Sequence, residues 1–329
     1  MRIILFGIIT LLTIACNKKP KAEFSLIGKT NGLKDGTSLY LELDNEIIDS
    51  TEIKNNAFVF NTEISKSPLE VILRTNDFSQ YRFVWLENNQ MTFDATNTDF
   101  KNAKVLGSET ENLSTTLGQK LDTIPRSKRH KYRADFITEN PDKLYSAYLL
   151  SFYATSWGKE KTTELYNNLS DKNKDSEFGK NALRYIKLNK DPKIGEKYVD
   201  FGMTDIKGKK RRLSEFDGKL VLLEFWASNC GPCRKENPNL VKTYNDFKNK
   251  GFEIFAVSED IKRESWIKAI ENDKLPWLQL SDLSKNNTAS LIYGINGIPD
   301  NFLIDQHGTI IARNLRGEKL NEKLKELLK

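Results

Sequence analysis

Apolar and polar positions alternate through the first third of the chain. FSLIGKT, TSLYLELD, AFVFNTEI, PLEVILRT, YRFVWLE and QMTFDAT, all within residues 22–106, place apolar side chains at every second position. That is the period of strands with one buried face. NGLKDG, DNEIID, NN and ND between them supply turn residues. The pattern predicts a small antiparallel sandwich or barrel-like sheet, an all-β domain. Over residues 107–190 the period lengthens. ENLSTTLGQKLDTI, PDKLYSAYLLSFYATSW, KTTELYNNL and SEFGKNALRYIKL space their apolar residues three and four apart, which predicts about four helices with polar joints. Tyr145, Tyr148, Phe152 and Tyr153 are expected to pack a helical core.

DPKIGEKY, from Asp191, marks a boundary, and residues 191–329 read as a third segment with an α/β pattern. LVLLEFWA is a continuous apolar run interrupted by Glu224, as suits a central strand buried on both faces. A helix is predicted from about Gly231 to Lys250. It is followed by the strand FEIFAVS, a helix at RESWIKAIEN, the strand WLQLSD and a short helix at TASLIYG. NFLID and TIIARNL, joined by QHG, read as a hairpin, and EKLNEKLKELL as a closing amphipathic helix. Strands alternating with helices define an α/β domain.

Composition changes this picture little: 38% of the 329 residues are hydrophobic and 29% charged, with a net charge of +6. The basic runs RSKRHKYR (126–133) and KGKKRR (207–212) lack interleaved aromatics on a nucleic-acid module. They are expected to be solvated surface, with no nucleic-acid partner. The first residues matter more. After Arg2, IILFGIITLLTIA ends at Ala15-Cys16 before the polar NKKPK. The apolar run is short for a bilayer span, which takes roughly 20 residues, and has the form of a signal peptide over residues 1–15. LTIAC also resembles the lipobox of bacterial lipoproteins, with Thr13 where Leu is more usual. That resemblance implies lipidation of Cys16, a membrane anchor, and a periplasm-facing place in the cell envelope, where dithiol chemistry is open.

With Cys16 so used, the remaining cysteines are Cys230 and Cys233, separated by Gly231 and Pro232. A Cys-x-x-Cys pair opening a helix after a buried strand is a redox arrangement. The helix N-terminus offers unpaired N–H groups and partial positive charge, which lower the pKa of a thiol from about 8.5 towards 7 or below. Cys230, at the exposed end, is the expected nucleophile, and Cys233, one turn further in, the resolving thiol. A zinc site would need four ligands, and His130 and His307 are not spaced as a pair; no metal and no cofactor are called for.

FWASNCGPCRKENP (225–238) resembles the active-site segment of the thioredoxin superfamily, and its surroundings resemble the envelope TlpA/ResA-like branch. KIGEKYVDFGMTDIKGKKRRLSEFDGK, FEIFAVSEDIKRESW and YGINGIPDNFLIDQHGTI carry that likeness across residues 192–329. The all-β segment resembles, by pattern and position, the β-rich domain that precedes a thioredoxin-like domain in many envelope lipoproteins. The resemblance implies that Pro299 is the cis-proline facing the cysteine pair, with Ile298 offering backbone groups to an extended substrate. It implies that Glu224 is the buried acid behind the pair, able to take the proton of Cys233. Trp226, Asn229, Gly231 and Pro232 fall on the implied substrate surface, and Glu236 on the place of a modulating glutamate. Pro238 matches a helix-kinking proline.

Two positions depart from the family. Asn229 replaces the usual Trp before the first cysteine; as a good N-cap residue it is expected to suit the helix start and to open a polar surface beside Cys230. Asp300 stands where Thr is common, and an acid near the thiolate would oppose its ionisation. The expected activity is thiol–disulfide exchange, more in the reducing direction, on disulfides of exported proteins, with electrons from an upstream membrane donor. The alternatives are a binding lipoprotein whose thioredoxin-like domain is a scaffold, a disulfide oxidase or isomerase, and a peroxidase. The last lacks its Thr-x-x-Cys signature at the active-site turn.

Overall fold

A computed structural model describes residues 24–328. The expected signal peptide and Cys16 lie outside the described residues. The described residues form two compact units, divided between Pro125 and Arg126.

In the first unit, β1 (Ser25–Lys29), β2 (Ser38–Leu43), β3 (Glu46–Glu52), β4 (Ala57–Phe60), β5 (Leu69–Thr75), β6 (Tyr81–Leu86), β7 (Gln90–Asp94) and β8 (Lys104–Leu106) precede α1 (Glu109–Asp122). They make two four-stranded sheets, ordered β4-β1-β7-β8 and β3-β2-β5-β6. The expected all-antiparallel pairing is corrected at one place, because β1 pairs with β7 in parallel. A parallel pair needs a long crossover, here supplied by the strands between the two. DNEIID is not all turn either. Asp44 and Asn45, both at positive φ, make the tight reversal, and β3 begins at Glu46. The alternation predicted from sequence does set the core, with Leu26, Leu39, Leu41, Phe58, Phe60, Leu73 and Phe93 buried together. Ser108 caps α1 by accepting the Glu111 N–H at 3.0 Å. Through the Glu111 carboxylate, which accepts the Trp85 N–H at 3.0 Å, the helix is tied to β6. This helix therefore belongs with the sheets, and not with a helical segment starting at residue 107 as the change of period suggests.

The second unit opens with α2 (Arg126–Glu139), α3 (Leu144–Asn168), α4 (Asp171–Asp175) and α5 (Glu177–Leu188). The run RSKRHKYR is the exposed start of α2. Gly158, with φ 76° and ψ 170°, breaks α3 in the middle, where the sequence pattern places a joint. Tyr145 is buried as expected, but Phe152 is 64% exposed and packs no core. The helices are pinned to the α/β part of the same unit. Arg184 of α5 donates to the Asn286 carbonyl and to Thr288 Oγ1, both at 2.7 Å.

That α/β part comprises β9 (Gly202–Asp205), β10 (Lys210–Arg212), β11 (Leu220–Trp226), α6 (Gly231–Phe247), β12 (Phe252–Ser258), α7 (Arg263–Asp273), β13 (Leu278–Ser281), α8 (Thr288–Tyr293), β14 (Asp300–Ile304), β15 (Ile310–Arg313) and α9 (Gly317–Leu327). One seven-stranded sheet runs β10-β9-β13-β12-β11-β14-β15, with β11, β12 and β13 parallel and β14 and β15 antiparallel. It is the thioredoxin-like mixed α/β fold. β11 sits near its middle and all seven of its residues are buried, which accounts for the unbroken apolar run. Its side chains divide by parity. Val221, Leu223 and Phe225 enter the core with Tyr293 and Phe302, and Leu220, Leu222 and Trp226 the core with Leu240, Trp266 and both cysteines. Glu224 has the parity of the second group.

Candidate active site

β11 ends at Trp226, and the turn after it delivers Cys230 to the head of α6. Ser228 shapes that turn. Its N–H donates to Asp260 Oδ2 at 2.8 Å and its hydroxyl to Asp260 Oδ1, while Arg234 of α6 donates to the Ser228 carbonyl at 3.0 Å. Arg234 is itself held by Asp273. Asp260, Arg234 and Asp273 were not singled out from the sequence, for each lies among many charged residues with no local motif to mark it.

Cys230 is the N-cap residue of α6, and its Sγ accepts the Cys233 N–H at 3.2 Å. This corrects the expectation that Asn229 caps the helix. Asn229 is instead exposed in the preceding turn, beside Cys230. The two cysteines form a disulfide, with Cα atoms 5.3 Å apart. Gly231 and Pro232 occupy the exposed first turn, where a proline loses no intrahelical bond. Cys233 is fully buried and Cys230 8% exposed, so a partner reaches the first sulfur and not the second. When the disulfide opens, a Cys230 thiolate inherits the N–H that its sulfur already accepts, and the end of the helix dipole besides.

The Ile298–Pro299 peptide is cis. Both residues are half-buried, and Ile298 packs on the core cluster that contains the cysteines. The loop is braced by α3, whose Ser156 hydroxyl donates to Asn296 Oδ1 at 2.6 Å.

Trp226 requires a correction. It is 1% exposed and its indole N–H donates to Gln279 Oε1 at 3.0 Å. A side chain so enclosed supports the sheet and cannot meet a substrate. Asp300 is corrected as well. It pairs in register with Phe225 and so projects from the sheet face opposite the cysteines. Arg313 neutralises it with two hydrogen bonds, at 3.2 and 2.6 Å, and no free acid stands near the thiolate on its account.

Glu224 lies 4% exposed on the cysteine-bearing face of the sheet. Burial pushes its pKa up to about 8, the Glu236 carboxylate pushes in the same direction, and Arg316 opposes both. Below that pH the carboxyl is protonated. Glu236 is a half-buried residue of α6. Its Oε1 accepts the Gly317 N–H and the Asn239 amide, both at 2.8 Å, so it anchors the start of α9 as well as raising the proton affinity of Glu224.

A dithiol with a buried carboxyl behind it can exchange electrons with another disulfide and manage the accompanying proton. That chemistry on this fold defines the class: a thioredoxin-like thiol–disulfide oxidoreductase. Residues 194–313 match the AhpC/TSA family, and residues 24–113 match a domain of unknown function, DUF4369. Over 148 residues the chain is 35% identical to the thiol-disulfide oxidoreductase ResA of Bacillus cereus, covering 44% of this chain and 82% of that protein. To ResA of Halalkalibacterium halodurans it is 32% identical over 139 residues, 42% of this chain and 78% of that one. The thioredoxin domain of a thiol-disulfide oxidoreductase from Bacteroides vulgatus is 40% identical, with 42% of this chain and 99% of that chain covered and a TM-score of 0.40. Through its C-terminal domain the chain belongs to the family of ResA-type thiol–disulfide oxidoreductases.

Proposed function

We propose that this protein is a lipid-anchored reductase of disulfides in exported proteins, facing the periplasm and recharged by a membrane electron donor. The Cys230 thiolate attacks a substrate disulfide, and one substrate sulfur leaves as a thiolate. Cys233 then gives its proton to the Glu224 carboxylate and attacks Cys230 Sγ. The second substrate thiolate departs and the Cys230–Cys233 disulfide forms. Two electrons from a dithiol donor reset the pair: one donor thiolate attacks Cys230 Sγ, and Cys233 leaves while taking the Glu224 proton back. The donor's second thiolate then attacks the donor sulfur of that mixed disulfide, closing the donor's own disulfide and releasing the Cys230 thiolate. The observation that carries this reading is the buried Glu224, protonated below about pH 8 behind a disulfide that exposes one sulfur. A proton is thereby in store for the shielded sulfur. The short apolar leader ending in TIAC supports the anchor and the envelope location, and the Cys-Gly-Pro-Cys sequence supports the reducing direction.

The direction is tested by trapping thiols in cells with an alkylating agent. A reductase supplied by a donor keeps Cys230 and Cys233 mostly as thiols, and Cys233→Ala accumulates mixed disulfides through Cys230 with exported proteins. A pair found mainly as the disulfide in growing cells would point to an oxidase and end the reductase reading.

A further inference from the structure

Residues 314–317, which join β15 to the first residue of α9, are clamped against the redox site from two sides. Asn301 of β14 receives the Leu315 N–H on its Oδ1 at 3.0 Å and donates its amide to the Leu315 carbonyl at 2.8 Å. Glu236 of α6 holds the Gly317 N–H. Asn301 is the cross-strand partner of Glu224, so its side chain shares the sheet face of the buried acid. The clamp thus fixes Arg316 between two anchored neighbours, one strand away from Glu224. The guanidinium is then tied by its own bonds, Nη2 donating to the Pro299 carbonyl and to Asn314 Oδ1.

We propose that Arg316 is a positioning residue of the redox site, a cation fixed on the Pro299 carbonyl so that its charge acts on Glu224. The inference rests on the reading of Glu224 as the proton store for Cys233. The surroundings of that carboxyl on each packed element are few in charge. β12 presents Ala256 in register with it, β14 the neutral Asn301, and α6 the like-charged Glu236. The opposing charge comes from Arg316 at the head of α9. An arginine free to swing into solvent would be screened. Arg316 is itself exposed, but its bond to the Pro299 carbonyl keeps the cation against the protein, where it offsets part of the repulsion from Glu236. The carboxyl can then lose its proton to solvent, or accept one from Cys233, nearer to neutral pH.

The test uses the oxidised full chain and follows reductive opening by dithiothreitol, expressed per reductant thiolate, from pH 6 to 10. Opening needs the Glu224 proton, so the rate falls on an alkaline limb. Arg316→Met is expected to move that limb upward by about half a pH unit, the size of one partly screened charge at short range, and Arg316→Lys to return it towards the wild-type position. Neutral substitution that leaves the limb in place overturns the proposal. So does a shift that lysine does not reverse, because the cause is then a disturbed loop and not a charge. Glu224→Gln separates the two levels. If the limb survives that change, the reading of Glu224 fails and this inference with it. If it vanishes there yet ignores Arg316→Met, the inference alone fails.

Discussion

Glu224→Gln in the oxidised protein isolates the energetic consequence of burying an acid beneath a disulfide. The carboxyl has its pKa raised from 4.5 to about 8 in the folded chain, chiefly by burial. Between those values the folded state keeps a proton that the unfolded chain has released. Stability must therefore fall as pH rises through this window and level off above it. Each pH unit removes about 1.4 kcal/mol, so from pH 5 to pH 8 the loss approaches roughly 4 kcal/mol. At a denaturant slope of about 2 kcal/mol per molar, that is a drop of about 2 M in the urea midpoint. Glutamine keeps the shape and carries no proton to lose. The assay is urea unfolding at pH 5, 6, 7 and 8, followed by tryptophan fluorescence with the Cys230–Cys233 bond intact, which removes thiol titration. Among the described residues one further acid, the half-buried Glu259, has a raised pKa; it is common to both proteins and cancels in the difference. The wild-type midpoint should decline against the variant's over this range. Two curves that run parallel within about 0.3 M would refute the assignment of a protonated, buried Glu224.

The remaining predictions concern the sulfurs, the turn before them and the leader. Cys230→Ser should abolish exchange with any disulfide and Cys233→Ser should stall at the mixed disulfide, as mass spectrometry of the trapped adducts would show; in the reduced protein, faster alkylation of Cys233 than of Cys230 would reverse their roles. Asn229→Trp should place a ring with 150–250 Å² of apolar surface over the exposed turn, changing rates on two unlike disulfide proteins unequally while the reduction potential moves little; rates that change together in step with the potential would show that this position tunes the sulfurs. Cys16→Ala should release the protein from membranes, and a variant that fractionates like wild type would remove the lipid anchor.

The sequence by itself determined what short-range pattern can carry. The order of elements comes from the change of apolar period near residue 107 and again after Asp191, because strand and helix periods depend on neighbours a few residues apart. The redox pair was legible for the same reason: an apolar strand, a turn and a Cys-x-x-Cys helix start are contiguous in the chain. Once β11 is placed in the sheet, parity groups Glu224 with Trp226. What parity leaves open is how completely each position is enclosed. Trp226 is expected from its place near the cysteines to meet substrate, yet its burial depends on Gln279 of β13, 53 residues away. Asp300 is expected to act on the thiolate because it comes directly after Pro299. Strand pleating turns it to the other face, where Arg313 pairs with it across a hairpin.

The tertiary structure also decided which charges matter. Asp260, Arg234 and Arg316 are three among many charged residues, and nothing in their neighbours distinguishes them. Their partners, the Ser228 backbone and the Pro299 carbonyl, become adjacent when separate strands and helices are packed side by side. The parallel pairing of β1 with β7 and the division of the helices between the two units have the same origin. Each is a choice of partner across a long stretch of chain, set by which apolar faces close against one another, and a local period cannot encode it.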